Sequence, residues 1–350
     1  MSTAHAPPAP PQHMHPAWYG AVMSTGVLAL CLDAQASQWS WMWLSRIAAG
    51  LLMAATVLGV ALLPRYVKRL KSRGDLAEEM GDVGRGPMLA TLPAGLLILA
   101  DGWGRIGQKF IPTTAALWIS ALLLVLGTVI ALVVALAWTT AITRTNHRLE
   151  DVNGGWLIPP VMNALVPVAL SALIVANPSL APLLVYVGAA FLGVGIVLFL
   201  ALFALLMSRL TLRGPTPASL APSLWIPLAP AGILGLAAMR LTQSAQQAAV
   251  TGFDGVTAAC MMAALGIGFG LWWTAFAALE MRRISTGGVT AANPGWWAFV
   301  FPAGAMALSL STLGALTDIT AICVAGLIAT AGLTIVWMRV ANATLRPQRH

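Results

Sequence analysis

The sequence predicts an all-α polytopic membrane protein. Ten transmembrane helices are expected, as five helical hairpins in quasi-fivefold arrangement around a central pore. Three observations carry this. The 350 residues are 59% hydrophobic and only 9% charged, where a soluble domain carries about 25% charge. Apolar stretches of spanning length recur along the whole chain. The tripeptide Pro-Ala-Gly occurs three times, always inside such a stretch: Pro93-Ala94-Gly95, Pro230-Ala231-Gly232 and Pro302-Ala303-Gly304.

The spans are read at 17–33, 43–64, 87–101, 114–141, 155–176, 181–208, 221–241, 255–280, 294–314 and 318–340. The first and third are short. Pro160 fills the gap between the first two Pro-Ala-Gly copies. Ser24-Thr25-Gly26 is a weaker echo ahead of them. From Ser24 through Pro93, Pro160, Pro230 and Pro302 the steps are 69, 67, 70 and 72 residues. A break at that period marks a unit used five times. Each unit holds two spans, the odd one broken and the even one smoother. Proline inside a membrane helix frees a carbonyl, which is tolerated only against protein or a water-filled path. Broken helices are therefore expected inside, lining a path at Ser24, Thr25, Gly26, Pro93, Gly95, Pro160, Pro230, Gly232, Pro302 and Gly304.

Basic residues orient this map. With ten spans, fifteen of the 19 Lys and Arg fall on the side of the termini, Lys71, Arg73, Arg346 and Arg349 among them. Arg46, Arg105, Lys109 and Arg240 fall on the other. By the positive-inside rule both termini are cytoplasmic, in the cell membrane. The net charge of +8 is thus topological and calls for no nucleic-acid partner. Residues 1–16 read as a disordered cytoplasmic tail, 17–342 as the membrane domain and 343–350 as a C-terminal tail. The polar stretch 65–86 reads as a solvated connector.

Composition also excludes chemistry. Cys31, Cys260 and Cys323 have no CxxC spacing and read as packing residues. The five histidines (His5, His13, His15, His147, His350) avoid span centres, so neither haem ligation nor a metal site is expected. No phosphate-binding GxxxxGK[ST] motif is present. No cofactor, catalytic residue or enzyme activity is predicted. Asp33, Asp101, Asp254, Glu280 and Asp318 lie at span ends and the other six carboxylates in cytoplasmic connectors, with Asp101 nearest the interior. It is either a helix-end residue or a coupling group. Arg240 either snorkels at an interface or attracts anions. A path without fixed negative charge suits anions or neutral solutes.

Five helices spaced about 9 Å apart lie about 7.5 Å from their axis, leaving a hole roughly 2 Å in radius. One large side chain would close it. The residues before the five breaks are Met23, Leu92, Pro159, Ala229 and Phe301. Phe301 alone is aromatic. Geometry leaves it as either a plug or a packing phenylalanine.

Two segments carry a family resemblance. They are His15-Pro16-Ala17-Trp18-Tyr19 with Met23-Ser24-Thr25-Gly26, and Trp296-Trp297-Ala298-Phe299-Val300-Phe301-Pro302. Together with the proline spacing, they resemble the tellurite-resistance/dicarboxylate transporter (TDT) family. That family includes plant slow-type anion channels and yeast sulfite efflux and malate transporters. The likeness covers roughly residues 15–342. It implies a central pore occluded by one phenylalanine, which maps onto Phe301. It also implies homotrimers with one pore per protomer, and transport of chloride, nitrate, sulfite, tellurite or dicarboxylates. The alternatives are a proton-coupled sulfite or four-carbon dicarboxylate exporter and a non-transporting subunit of a membrane complex. The plant channels' long soluble tails have no counterpart in this chain, so control by tail phosphorylation is not expected.

Overall fold

The computed structural model describes residues 14–70, 73–214, 216–285 and 294–345. Most of the predicted N-terminal tail, Lys71, and residues 346–350 with Arg346 and Arg349 lie outside them. Eleven α-helices form among the described residues. They are α1 (Tyr19–Trp39), α2 (Met42–Leu70), α3 (Arg73–Gly81), α4 (Thr91–Arg105), α5 (Thr113–Arg144) and α6 (Ile158–Ala176). Then come α7 (Ala181–Leu212), α8 (Leu228–Gln247), α9 (Val256–Ser285), α10 (Val300–Thr317) and α11 (Thr320–Leu345).

Nine helices of the described residues are long and apolar enough to cross a membrane. The tenth expected span, α4, has 15 residues. At 1.5 Å per residue it covers about 22 Å, short of a hydrocarbon core of about 30 Å. A 3₁₀ turn over Pro87–Ala90 lengthens it at its start. The protein is a multi-pass membrane protein. The 65–86 stretch is more regular than a solvated connector: α2 runs through Pro64 to Leu70, and α3 follows it.

Burial separates the helices into two sets. In α1, α6, α8 and α10 between 72% and 89% of the apolar span is buried, against 22–28% in α2, α5, α7, α9 and α11. The outer helices are apolar all round, as lipid-facing helices must be. Their inward face is a narrow stripe. In α5 it reads Ala116, Ser120, Leu124, Gly127, Ala131, Val134 and Trp138, a three-and-four spacing that keeps one seam against a neighbour.

Each inner helix packs against the outer helix that follows it: α1 on α2, α4 on α5, α6 on α7, α8 on α9 and α10 on α11. The inner helices also touch in the cyclic order α1, α4, α6, α8, α10 and back to α1. They run parallel, because contacts keep register along their lengths. Ser24 donates to Trp297 O, and seven residues further along both segments Cys31 donates to Gly304 O. Two of the hairpin turns use left-handed caps, Ser40 (φ 58°) and Asp318 (φ 57°). Asp318 is thus a helix end, as its position in the sequence implies.

Candidate functional site

The proline repeat has a definite structural meaning, and it differs from a break inside a helix. Pro93, Pro160, Pro230 and Pro302 each occupy the third residue of their α-helix. The first four N–H groups of a helix have no intrahelical partner, so proline there removes no ladder bond. A 3₁₀ segment leads into each: Pro87–Ala90, Gly154–Leu157, Ala218–Trp225 and Pro294–Phe299. The repeat therefore marks where 3₁₀ backbone becomes α-helix. Ser24 departs from this pattern. It is the sixth residue of α1, within continuous helix, and the 3₁₀ lead-in there is Pro16–Trp18. Pro64 and Pro167 are the prolines that lie inside α2 and α6.

The small residues of the repeat bring the inner helices together. A Cβ on Gly232 would lie 2.5 Å from the carbonyl carbon of Ala305 and 2.6 Å from its oxygen. Only glycine lets α8 approach α10 this closely. Gly26 abuts Ile98, Gly95 abuts Tyr19 and Val22, and Gly304 abuts Val27. Ser24 donates to Trp297 O at 3.4 Å, and Thr25 accepts a bond from Trp337 Nε1 at 3.0 Å. These residues set spacing; a different set lines the cavities.

One cavity of about 50 Å³ lies at the helix starts. Its wall includes Met23, Ala94, Val161, Ala229, Phe301 and Pro302, one or more residues from every inner helix. That volume holds only a few water molecules. Phe301 is buried, with 5% of its surface exposed. Met23 and Ala229 reach the cavity from the positions before the repeat, whereas Leu92 and Pro159 do not. From α4 and α6 the lining residues are Thr91, Ala94, Ile158, Val161 and Met162 instead. Among the described residues no charged side chain borders it.

The opposite ends of the inner helices differ in chemistry. Two polar cavities, of about 410 Å³ and 270 Å³, open there. Arg105, Arg240 and Gln243 line both. Arg240 is buried and its Nη2 donates to Thr312 Oγ1 at 3.3 Å, which joins α8 to α10. It does not snorkel at a surface. Asp101 is buried at 1% exposure, and neither carboxylate oxygen has a hydrogen-bond partner among the described residues. The charges acting on it are Arg105, Arg240 and Asp33. Asp33 is itself paired, with Lys109 Nζ at 2.6 Å and Ser45 Oγ at 2.9 Å.

Sequence reasoning singles out Arg240 and Asp101 but misses Arg105, Gln243 and Thr312. A signal exists for Arg105 alone: with Arg46, Lys109 and Arg240 it is one of the few basic residues away from the basic side. No spacing rule marks Gln243 or Thr312, since they become neighbours only when α8 and α10 pack.

Comparison with known proteins fits this architecture. The family described as SLAC1, voltage-dependent anion channel, matches residues 13–345. An uncharacterized transporter of Methanocaldococcus jannaschii is 28% identical over 304 residues, covering 84% of this chain and 82% of the relative. A sulfite efflux pump of Trichophyton rubrum is 26% identical over 326 residues, 86% of this chain and 82% of the pump. A putative malic acid transport protein of Schizosaccharomyces pombe is 23% identical over 267 residues, 73% of this chain and 62% of the relative. With nearly its whole length matched, the chain belongs to the SLAC1 family of voltage-dependent anion channels, the same group as the TDT transporters.

Proposed function

We propose that this protein moves small anions along the axis of its five inner helices, with Phe301 closing the path. The carrying observation is the cavity at the helix starts, which draws residues from all five inner helices; Phe301 is the aromatic among them, and Trp297 of the 3₁₀ lead-in to α10 lines the same cavity. The cyclic contacts of those helices support a quasi-fivefold pore. Its apolar lining would gate by bulk and by dewetting. The starts of α4, α6, α8 and α10 place positive dipole ends near Phe301, which favours anions over cations. The basic-residue asymmetry supports a cytoplasmic location for this end.

The substrate class rests on the relatives. Names such as sulfite efflux pump and malic acid transport protein support a small oxyanion or carboxylate. The family resemblance supports a trimer with one pore in each copy. Asp101 favours a second reading, proton-coupled export, because a buried carboxylate without hydrogen-bond partners is suited to exchange a proton.

Flux from proteoliposomes tests these readings. Chloride, nitrate, sulfite and malate are each loaded, with and without a proton gradient. The proposal expects anion efflux that exceeds empty-vesicle leakage. Passive transport gives flux that follows the anion gradient alone. Uphill accumulation driven by the proton gradient, and lost in Asp101→Asn, selects the coupled reading. No flux of any anion refutes both.

A further inference from the structure

The geometry points to a binding site for singly charged oxyanions between Arg240 and Arg105, at the C-terminal ends of the inner helices and remote from Phe301. The site lies on the pathway proposed above and rests on that reading for its role in transport. Arg240 is ten residues beyond Pro230, so it stands about 15 Å along α8 from the repeat layer. Three observations converge there.

The first is an incomplete arginine. Arg240 is more than nine-tenths buried, its Nη2 makes one long bond to Thr312, and its Nε has no partner among the described residues. Burying a guanidinium is costly unless its donors are used. Asp101 does not use them, because both of its oxygens are also without partners. A structural ion pair would have closed that gap. The arginine therefore keeps directed donors for a third group, and it borders both polar cavities.

The second is the character of the donors. Gln243 borders the same two cavities, with Ser244 on one side and Thr312 on the other. Amide, hydroxyl and guanidinium groups offer several separated, directional donors. A planar guanidinium matches two oxygens of one anion. A halide has no such pair of acceptors. The C-terminal ends of five parallel helices carry partial negative charge, so an anion is held here only if cations outweigh it.

The third is the count of charges. Lys109 is engaged by Asp33 at 2.6 Å. That leaves Arg105 and Arg240 against Asp101, one positive charge in excess. Asp101 borders neither cavity, so it acts from behind the arginines and limits the site to a monoanion.

Thermal unfolding of the full chain, purified in detergent, tests this without measuring flux. Sodium nitrate, chloride and sulfate are compared at equal ionic strength. Nitrate should raise the unfolding temperature saturably and chloride should not. Arg240→Gln should raise the half-saturating nitrate concentration at least tenfold, and Arg240→Lys should recover part of the loss. Asp101→Asn should add a saturable response to sulfate, because the excess becomes two charges. If Arg240→Gln is not monodisperse, Arg105→Gln carries the same expectation. Equal responses to nitrate and chloride in the wild type would overturn the site, as would a nitrate response unchanged by either arginine variant. A failed flux assay with intact nitrate binding would instead refute the pathway reading alone.

Discussion

The Phe301 side chain can be varied in size, and the outcome separates a gate from a packing residue. In the proposed pore, five helices about 9 Å apart would leave a hole of roughly 2 Å radius on their axis, and the cavity beside Phe301 is about 50 Å³. A barrier lowered by only about 1.4 kcal/mol raises flux tenfold. Phe301→Ala is therefore expected to raise anion flux at least tenfold in proteoliposomes. Leucine should give an intermediate value, and tryptophan should fall at or below the wild type. Truncating a buried phenylalanine commonly costs about 3–5 kcal/mol. Phe301 already faces a cavity, so the lower end, about 3 kcal/mol, is expected in thermal unfolding. The two readouts distinguish the roles. A gate gives higher flux despite lower stability, ordered by side-chain bulk. Lower stability with flux unchanged across the series would refute the gate and leave Phe301 as packing.

Two further predictions concern the scaffold. Gly232→Ala forces a methyl group against the Ala305 carbonyl and should cost about 1–3 kcal/mol. Gly332→Ala, with nothing within 4 Å of its added carbon, should stay within about 0.5 kcal/mol of the wild type. Parallel thermal melts compare them, and equal losses would refute close α8–α10 packing as the reason for glycine. Lys109→Met leaves the Asp33 carboxylate, with 6% of its side chain exposed, holding only Ser45. A loss of about 1.5–3 kcal/mol is expected. Adding Asp33→Asn should recover part of it, since the uncompensated charge is then gone. No recovery in the double variant would count against the pair.

Part of the site is legible in the amino-acid sequence. Phe301 stands out because a repeat makes its exceptions visible, and it borders the cavity at the helix starts. The rest of the repeat suggests a break inside each helix, which the backbone at the four prolines does not have. Pro93, Pro160, Pro230 and Pro302 begin helices, because 3₁₀ turns precede them; a run of apolar residues looks the same in either backbone. Gly95, Gly232 and Gly304 are small for the neighbouring helix, and a sequence does not say which face of a helix a glycine serves. The α4 span shows the same limit, since hydropathy does not locate a change from 3₁₀ to α.

Composition and period alone determined that the chain is a multi-pass helical membrane protein built from repeated helix pairs. Those properties follow from transfer free energy and chain length, which are sums over local residues. Tertiary structure decided what the few polar residues do. Asp101 and Arg240 sit on different helices, 139 positions apart in sequence, and each alone resembles a residue at a span end. Packing of the helices buries both, puts Arg105 near them, and brings Lys109, just after α4, to Asp33 of α1. Electrostatic interactions act through space between separate helices, so the grouping of Arg105, Arg240 and Asp101 exists only once the helices have packed.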